Sequence, residues 1–107
     1  MTKKELRSAI KQDLLNQLER NGTIGQYYTD LVDDYMTAWD TKNQLAADIR
    51  QRGAVVDYTS NTGQINKRKN ESVNEFLKTN AQMLKLLDSI GIKPAQLENI
   101  GDEDDEM

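Results

Sequence analysis

Residues 26–52 contain an uninterrupted amphipathic pattern, and the length of this stretch constrains how the whole chain can fold. Apolar residues recur along it at intervals of three and four, as on one face of a helix, and neither Pro nor Gly lies inside it. Gly53 follows, at a point where helices favour a residue that tolerates positive φ. We therefore predict one helix over residues 26–52.

A helix of that length is longer than the globule that the chain would form. At a rise of ~1.5 Å per residue it is about 40 Å long. A compact chain of 107 residues is roughly 34 Å across. A monomer therefore has difficulty in covering both ends of the apolar stripe. Either another helix runs back along it, or other subunits cover it, or both.

The apolar stripe of this long helix contains aromatic side chains, which are common anchors of protein–protein contacts. The residues that we expect at a subunit interface are Tyr28, Leu31, Val32, Tyr35 and Trp39. The alternative is that the stripe forms intramolecular core, as apolar residues at helical spacing usually do. Lys42 is the polar member of the stripe, and we expect its stem to pack while its charge reaches solvent.

Two further helical patterns flank the long one, so the sequence predicts a mainly α fold. They cover about residues 2–20 and 70–90, and a short helical turn is expected over 94–100. The flanking helices are expected to pack antiparallel with the long helix. The whole is expected to form a single helical domain over residues 1–101.

The ends of these helices have recognisable signals. Thr2 and Glu5 have the spacing of a capping box at the start of the first helix. Asn70 or Ser72 can cap the third helix.

The segment between the long helix and the third helix has a different composition. It is rich in β-branched residues, with a turn signal at residues 61–63, so we predict a small β-hairpin over 54–66. A two-stranded hairpin is marginally stable alone, and a mobile loop is the alternative.

The residue types needed for the common catalytic and metal sites are missing from the sequence. It has no cysteine and no histidine, which excludes disulfides, thiolate-ligated metals and the commonest general base. It also has no glycine-rich nucleotide-binding motif. Asp33 and Asp34 are adjacent on a helix, so their carboxylates point about 100° apart and do not converge on one substrate. We predict a protein that is not an enzyme and has no cofactor.

The sequence contains no signal for a membrane. No apolar run is long enough to span a bilayer, and the first residues lack the apolar core of a signal peptide. We expect a cytoplasmic protein that does not bind membranes.

The charge is unevenly distributed. The formal net charge is −4, but five of the 18 acidic residues lie in one run near the C-terminus. Without that run, 14 basic residues stand against 13 acidic ones, so the rest of the chain is nearly neutral. Residues 102–107 have almost nothing to bury and are expected to be a disordered acidic tail. The tail is either a solubilising terminus or a docking peptide for a basic surface, with Asp102, Glu103, Asp104, Asp105 and Glu106 as the contacts.

Two groups of basic residues are candidates for contacts with DNA phosphates. They are Lys3, Lys4, Arg7 and Lys11 in the first helix, and Lys67, Arg68 and Lys69 after the hairpin. One subunit has few of them, but a ring of subunits would multiply the phosphate contacts. The alternative is that they only provide solubility. No basic helix with base-reading side chains stands out, so sequence-specific recognition is not expected.

The order of these segments resembles a phage protein family. Three segments carry the resemblance: residues 27–53, YYTDLVDDYMTAWDTKNQLAADIRQRG; residues 62–70, TGQINKRKN; and residues 70–97, NESVNEFLKTNAQMLKLLDSIGIKPAQL. The most specific parts are Tyr35, Trp39, Gly53 and the ending Leu-x-x-Ile-Gly-Ile-Lys-Pro over 87–94. The chain is similar to the small subunit of the terminase of tailed bacteriophages, in the HK97-like branch.

The resemblance implies a ring-forming, non-enzymatic packaging factor in the cytoplasm of the bacterial host. Such a factor binds viral double-stranded DNA and regulates the large terminase subunit, an ATPase and nuclease. The acidic tail would then dock on the large subunit. The competing hypothesis is a helical phage assembly adaptor that does not bind DNA. A small transcriptional regulator is a third hypothesis.

Overall fold

The computed structural model describes residues 1–92, which form three helices and a two-stranded antiparallel sheet. The elements are α1 (Lys3–Arg20), α2 (Gln26–Arg52), β1 (Val55–Thr59), β2 (Ile65–Lys69) and α3 (Glu71–Ser89). The predicted mainly helical fold and the predicted hairpin are therefore confirmed. Within residues 1–92, no helix is both long and apolar enough to cross a membrane. The turn expected over 94–100 and the tail expected over 102–107 lie outside the described residues.

The local signals at the helix ends act as the sequence suggests. At the start of α1, the Glu5 amide donates to the Thr2 hydroxyl at 3.1 Å, and the Thr2 amide donates to the Glu5 carboxylate at 3.4 Å. This capping box satisfies amides that have no partner inside the helix. At the end of α2, Gly53 has φ = +85°, a conformation that strains residues with a Cβ.

Contacts divide the chain into two compact units, and α2 contributes to both. The first contains Met1–Asp34 and the described residues from Lys85 on. Its buried apolar residues are Leu14, Leu18, Val32 and Ile90. The chain reverses through residues 21–25, so α1 and the first turns of α2 run antiparallel. The Lys11 ammonium lies 3.0 Å from the Asp33 carboxylate between these two helices.

The second unit, Tyr35–Leu84, contains the rest of α2, the hairpin and most of α3. Met36 and Met83 are buried in it. Lys42 of α2 contacts Asn80 of α3, and Asp48, further along α2, contacts Ser72 near the start of α3. The two helices therefore run antiparallel in this unit. The single domain expected over 1–101 stays a prediction, and so does the oligomeric ring.

Two polar residues interrupt the apolar stripes of α2 and α3, and the structure pairs them. The Lys42 ammonium donates to the Asn80 side-chain oxygen at 2.9 Å. It also lies 5.5 Å from the centroid of the Phe76 ring, within reach of a cation–π interaction. In this relative register each polar group has a partner on the other helix, so the pair favours this alignment.

We expect Lys42→Met and Asn80→Leu to be coupled. Each single substitution leaves a half-buried polar group without its partner and should lower the unfolding free energy by about 1–2 kcal/mol. The double variant should lose less than the sum of the two, with a coupling near ~1 kcal/mol, because it leaves neither group unpaired. Urea denaturation of the four proteins measures the coupling. Lys78→Met, on the exposed face of α3, is the control, and strict additivity of the first two substitutions would contradict the pairing.

Candidate nucleic-acid interface

The segment around the hairpin is basic, whereas the rest of the chain is acidic. Between Arg50 and Asn70 the sequence has five cationic residues and one anionic residue. Of the chain totals of 14 and 18, this leaves nine cationic residues against 17 anionic ones elsewhere. Positive charge is therefore concentrated where a polyanion could contact several cations at once.

The basic cluster Lys67–Lys69 lies inside the hairpin and not after it. The sequence predicts a hairpin that ends near residue 66, but β2 continues to Lys69, which pairs with Val55 of β1. The run has no β-branched or aromatic residue, and Lys is mildly depleted in strands, so the run gives no strand signal by itself. Antiparallel pairing along all five residues of β1 overrides that preference.

Strand geometry places the three cations of this cluster on opposite faces of the sheet, because successive side chains alternate. The lysine face consists of Val55, Asp57, Thr59, Ile65, Lys67 and Lys69. The arginine face consists of Val56, Tyr58, Asn66 and Arg68. The predicted cluster is thus two lysines on one side and one arginine on the other.

The lysine face is open to solvent along its whole length. Every residue of β2 is exposed, and Ile65 has 73% of its surface accessible. Lys67 forms an ion pair with Asp57 across the two strands, with 2.7 Å between the ammonium and the carboxylate. Lys69 has no ion-pair partner among residues 1–92 and is therefore available to an external anion.

The arginine face holds its cation against an aromatic ring. The guanidinium carbon of Arg68 lies 5.3 Å from the centroid of the Tyr58 ring on the neighbouring strand. Arg is weakly hydrated and stacks readily on aromatic faces. Tyr58 therefore restricts the orientations of Arg68 while leaving it exposed.

A hydrogen-bond network at the base of the hairpin anchors it to both helices. The Arg52 guanidinium donates two bonds of 2.7 Å to the Asp48 carboxylate. The Ser72 hydroxyl and the Asn70 amide donate to the same carboxylate, at 2.6 Å and 3.2 Å. Asn70, only 1% exposed, also donates to the Gly53 carbonyl oxygen at 2.9 Å and accepts from the Ser72 amide at the start of α3. The base of the hairpin therefore has a defined position relative to α2 and α3.

The electrostatics of this network favour its ionised form. The hydrogen bonds from the Arg52 guanidinium, and then from the Ser72 hydroxyl, hold the pKa of Asp48 well below its usual range. The hydrogen bonds that Arg52 itself donates to Asp48 raise the pKa of Arg52. Among the described residues, no buried side-chain polar atom lacks a hydrogen-bond partner.

The basic residues of α1 share one side of that helix but differ in accessibility. Lys3, Lys4, Arg7 and Lys11 lie within about 100° of one another around the axis. Lys3 and Lys4 are exposed, whereas Arg7 and Lys11 are half-buried on the side that continues into the buried leucines of α1. Lys11 also pairs with Asp33. The first turn of α1 is therefore its accessible basic part.

The residues predicted at a subunit interface also differ in accessibility. Val32 is completely buried within a single chain and contributes to its core. Tyr28, Leu31, Tyr35 and Trp39 are half-buried and retain accessible surface. Burial raises the pKa of the Tyr35 hydroxyl. The residues predicted to dock on the large subunit, 102–106, lie outside the described residues.

Sequence reasoning missed two kinds of residue. Leu77 and Leu84 belong to the apolar pattern of α3, yet they are 59% and 55% exposed. They are seven residues apart, about two helical turns, so they lie on one side of the helix. This spacing is the sequence signal that could have indicated an exposed apolar stripe. Asp48 was also missed, since nothing in its local sequence shows that its carboxylate receives donors from residues 52, 70 and 72.

The low pKa of Asp48 predicts how acid affects stability. A carboxyl whose folded-state pKa is lowered stabilises the protein at pH values above its unfolded-state pKa of about 3.9. We expect Asp48→Asn to lower the unfolding free energy by a constant amount between about pH 5 and 7. The gap from wild type should shrink as the pH falls below about 4. Urea denaturation at several pH values measures the gap, and exposed Asp30→Asn is the control. A gap that persists unchanged to about pH 2 would contradict the role of the ionised carboxylate.

Comparison with known proteins identifies the family. The model of the family described as phage terminase, small subunit, matches residues 10–106. The comparisons with curated proteins and with solved structures gave no match. The matched range includes α2, both strands and α3, and the resemblance inferred from the sequence is confirmed. The chain belongs to the phage terminase small-subunit family.

Proposed function

We propose that this protein is a non-enzymatic subunit that binds viral double-stranded DNA as an oligomeric ring and regulates the large terminase subunit. It would act in the cytoplasm of the infected host during genome packaging. The observation that carries the proposal is the open basic strand β2 in a chain of the terminase small-subunit family.

The hairpin supports DNA binding through the phosphate backbone. Lys67 and Lys69 lie about 7 Å apart on one exposed face, so they can reach different phosphates. Arg68 faces the other side of the ribbon and could contact a phosphate of the opposite strand or of another turn. Contacts of this kind carry no sequence information, so the expected binding is salt-dependent and tolerant of sequence.

The exposed lysines Lys3 and Lys4 are secondary candidates for the same DNA. Both are accessible at the start of α1. Arg7 and Lys11 are less suited, because they are half-buried and Lys11 already pairs with Asp33. We therefore place the main DNA contact on the hairpin.

Oligomerisation would raise the number of phosphate contacts from three or so per chain to a number that gives stable binding. Exposed Leu77 and Leu84 on one side of α3, and half-buried Trp39 on α2, provide apolar surface for contacts between subunits. Trp39 is one of the predicted interface residues on α2, and the two leucines of α3 would add to that set. Sedimentation as a monomer at micromolar concentration would contradict the ring.

The acidic run 102–106 is proposed as the docking segment for the large subunit. Five consecutive acidic residues would be attracted to a basic patch on that partner, mostly through faster association. We expect a protein that lacks residues 102–107 to stimulate the ATPase of the large subunit less strongly than the full chain. The loss should be largest at low salt, and equal stimulation by both proteins would contradict the docking role.

A helical assembly adaptor that does not bind DNA is the second candidate function. The acidic balance outside the hairpin and the ion pair between Lys67 and Asp57 favour it, since both reduce attraction to a polyanion. The two functions differ in whether the protein binds DNA through the hairpin cations.

Replacing the hairpin cations tests DNA binding. We expect the triple variant Lys67→Ala, Arg68→Ala and Lys69→Ala to bind duplex DNA more weakly. The slope of log affinity against log salt should fall by ~0.9 for each DNA phosphate that the variant no longer neutralises. Fluorescence anisotropy at several salt concentrations measures both quantities.

Two further variants sharpen this test. Asp57→Asn removes the anion that pairs with Lys67, so it should strengthen binding and steepen the slope. The matched control is Lys78→Ala with Lys85→Ala, which removes two exposed lysines from α3. An unchanged slope in the triple variant would favour the adaptor.

A further inference from the structure

The hydrogen bonds at the two ends of the hairpin define which backbone groups are used between the strands. The Ser60 amide donates to the Gln64 carbonyl oxygen, and the Asn70 amide donates to the Ala54 carbonyl oxygen, both at 2.8 Å. In an antiparallel pair, hydrogen-bonded and non-hydrogen-bonded residue pairs alternate along the strands. In the pairs Val56–Arg68 and Tyr58–Asn66, the backbone amides and carbonyls therefore point toward the partner strand and form the hydrogen bonds between β1 and β2.

The remaining residues of β2 direct their backbone groups to the opposite edge. These are Ile65, Lys67 and Lys69, whose amides and carbonyls point away from β1. No third strand pairs with this edge in the part of the chain that the structure describes. Unpaired edges are templates for an added strand, and a two-stranded sheet is marginally stable without one.

The side chains along this edge restrict which strand could be added. β2 has two cations on the lysine face and Arg68 on the other face, so its neighbour should have anionic side chains on both faces. An extended segment with consecutive acidic residues satisfies this requirement, because alternate side chains point to opposite faces. Opposite charges directly across two strands stabilise their pairing.

This chain contains one run with that composition. Residues 102–106 read DEDDE, and elsewhere no more than two acidic residues are consecutive. Its five residues equal the length of β2. The strand edge and the acidic run are therefore complementary in length, charge and alternation.

We propose that residues 102–106 of one copy add as a strand to the open edge of β2 in another copy, and compete there with DNA for Lys67, Arg68 and Lys69. The proposal rests on the proposed oligomeric, DNA-binding function. In an assembly the acidic segments of neighbouring copies are held at high effective concentration, so weak pairing suffices to occupy the strand. To reach the hairpin cations, nonspecific DNA then has to displace the acidic run from β2, and both the DNA and the run are negatively charged. Engagement of the acidic run by the large subunit would free the hairpin for DNA.

Amide hydrogen exchange tests the strand addition without any DNA. We expect the amides of Ile65, Lys67 and Lys69 to exchange several-fold more slowly in the full chain than in a protein lacking residues 102–107. The inward-facing amides of Asn66 and Arg68 should change less. Equal exchange at the three outward amides in both proteins would overturn the proposal. Circular dichroism checks that the truncated protein retains its helices.

Isotope labelling distinguishes pairing between copies from pairing within one copy. Truncated protein labelled with ¹⁵N is mixed with unlabelled full-length protein and allowed to exchange subunits. Protection of the labelled outward amides supports pairing between copies, and protection found only when each copy has its own acidic run overturns it. A peptide of residues 98–107 should also shift the β2 resonances of the truncated protein. The same peptide with Asn and Gln in place of Asp and Glu is the control.

DNA affinity tests the competition. Truncation should increase affinity for duplex DNA at low salt, and the increase should disappear in the background Lys67→Gln, Arg68→Gln and Lys69→Gln. Unchanged affinity after truncation would overturn the competition. If neither protein binds DNA, the proposed function fails, whereas the exchange measurement still decides whether the acidic run occupies the strand edge.

Discussion

The position of the hairpin depends on the hydrogen bonds that the ionised carboxylate of Asp48 accepts. This carboxylate receives hydrogen bonds from residues of α2, of the strand–helix junction and of α3, and Asn70 links it to the backbone on both sides. Asn70 is the one buried polar residue among residues 1–92, and all its side-chain atoms have partners. Desolvated polar groups are costly when unpaired, so this network disfavours other orientations of the hairpin base. A short sheet with little core of its own can therefore present its cations in a defined direction.

The distribution of charge follows from this arrangement. At the base of the hairpin Arg52 pairs with Asp48, and the strands leave Arg68 and Lys69 without carboxylate partners in the described structure. On α1 the opposite holds, since Lys11 is half-buried and paired with Asp33. Similar counts of basic residues thus give different surfaces, because packing half-buries Arg7 and Lys11 of α1 whereas every basic residue of β2 is exposed. This difference is the physical basis for proposing the hairpin as the main DNA contact.

The sequence predicts the elements of this fold well and the exposure of single residues less well. Periodicity over 26–52, Gly53 and the pattern of Thr2 with Glu5 are local signals, and each has the expected structural role. The extension of β2 to Lys69 could not be predicted, because it depends on pairing with a strand ten or more residues away. Val32 is buried whereas Trp39, on the same face of α2, is half-buried. Periodicity predicts which face of a helix is apolar, but it does not predict which element packs against each turn of that face. In the sequence, Lys42 and Asn80 each interrupt an apolar stripe, and only the structure shows that their side chains form a hydrogen bond with each other.

Alternation along β2 has a consequence for how the hairpin tolerates sequence change. Between Thr59 and Ile65 the turn consists of Gly63 and four uncharged polar residues, and only Gly63, at φ = +85°, needs a particular backbone conformation. Most substitutions there would leave the strands in register. Insertion or deletion of a single residue would force either a different turn conformation or a shift of the β2 pairing by one position. Such a shift would exchange the faces of Arg68 and the two lysines and would move Asn70 away from the base. The length of this turn is therefore under a stricter limit than its composition, and natural variation in the hairpin should appear mainly as substitutions.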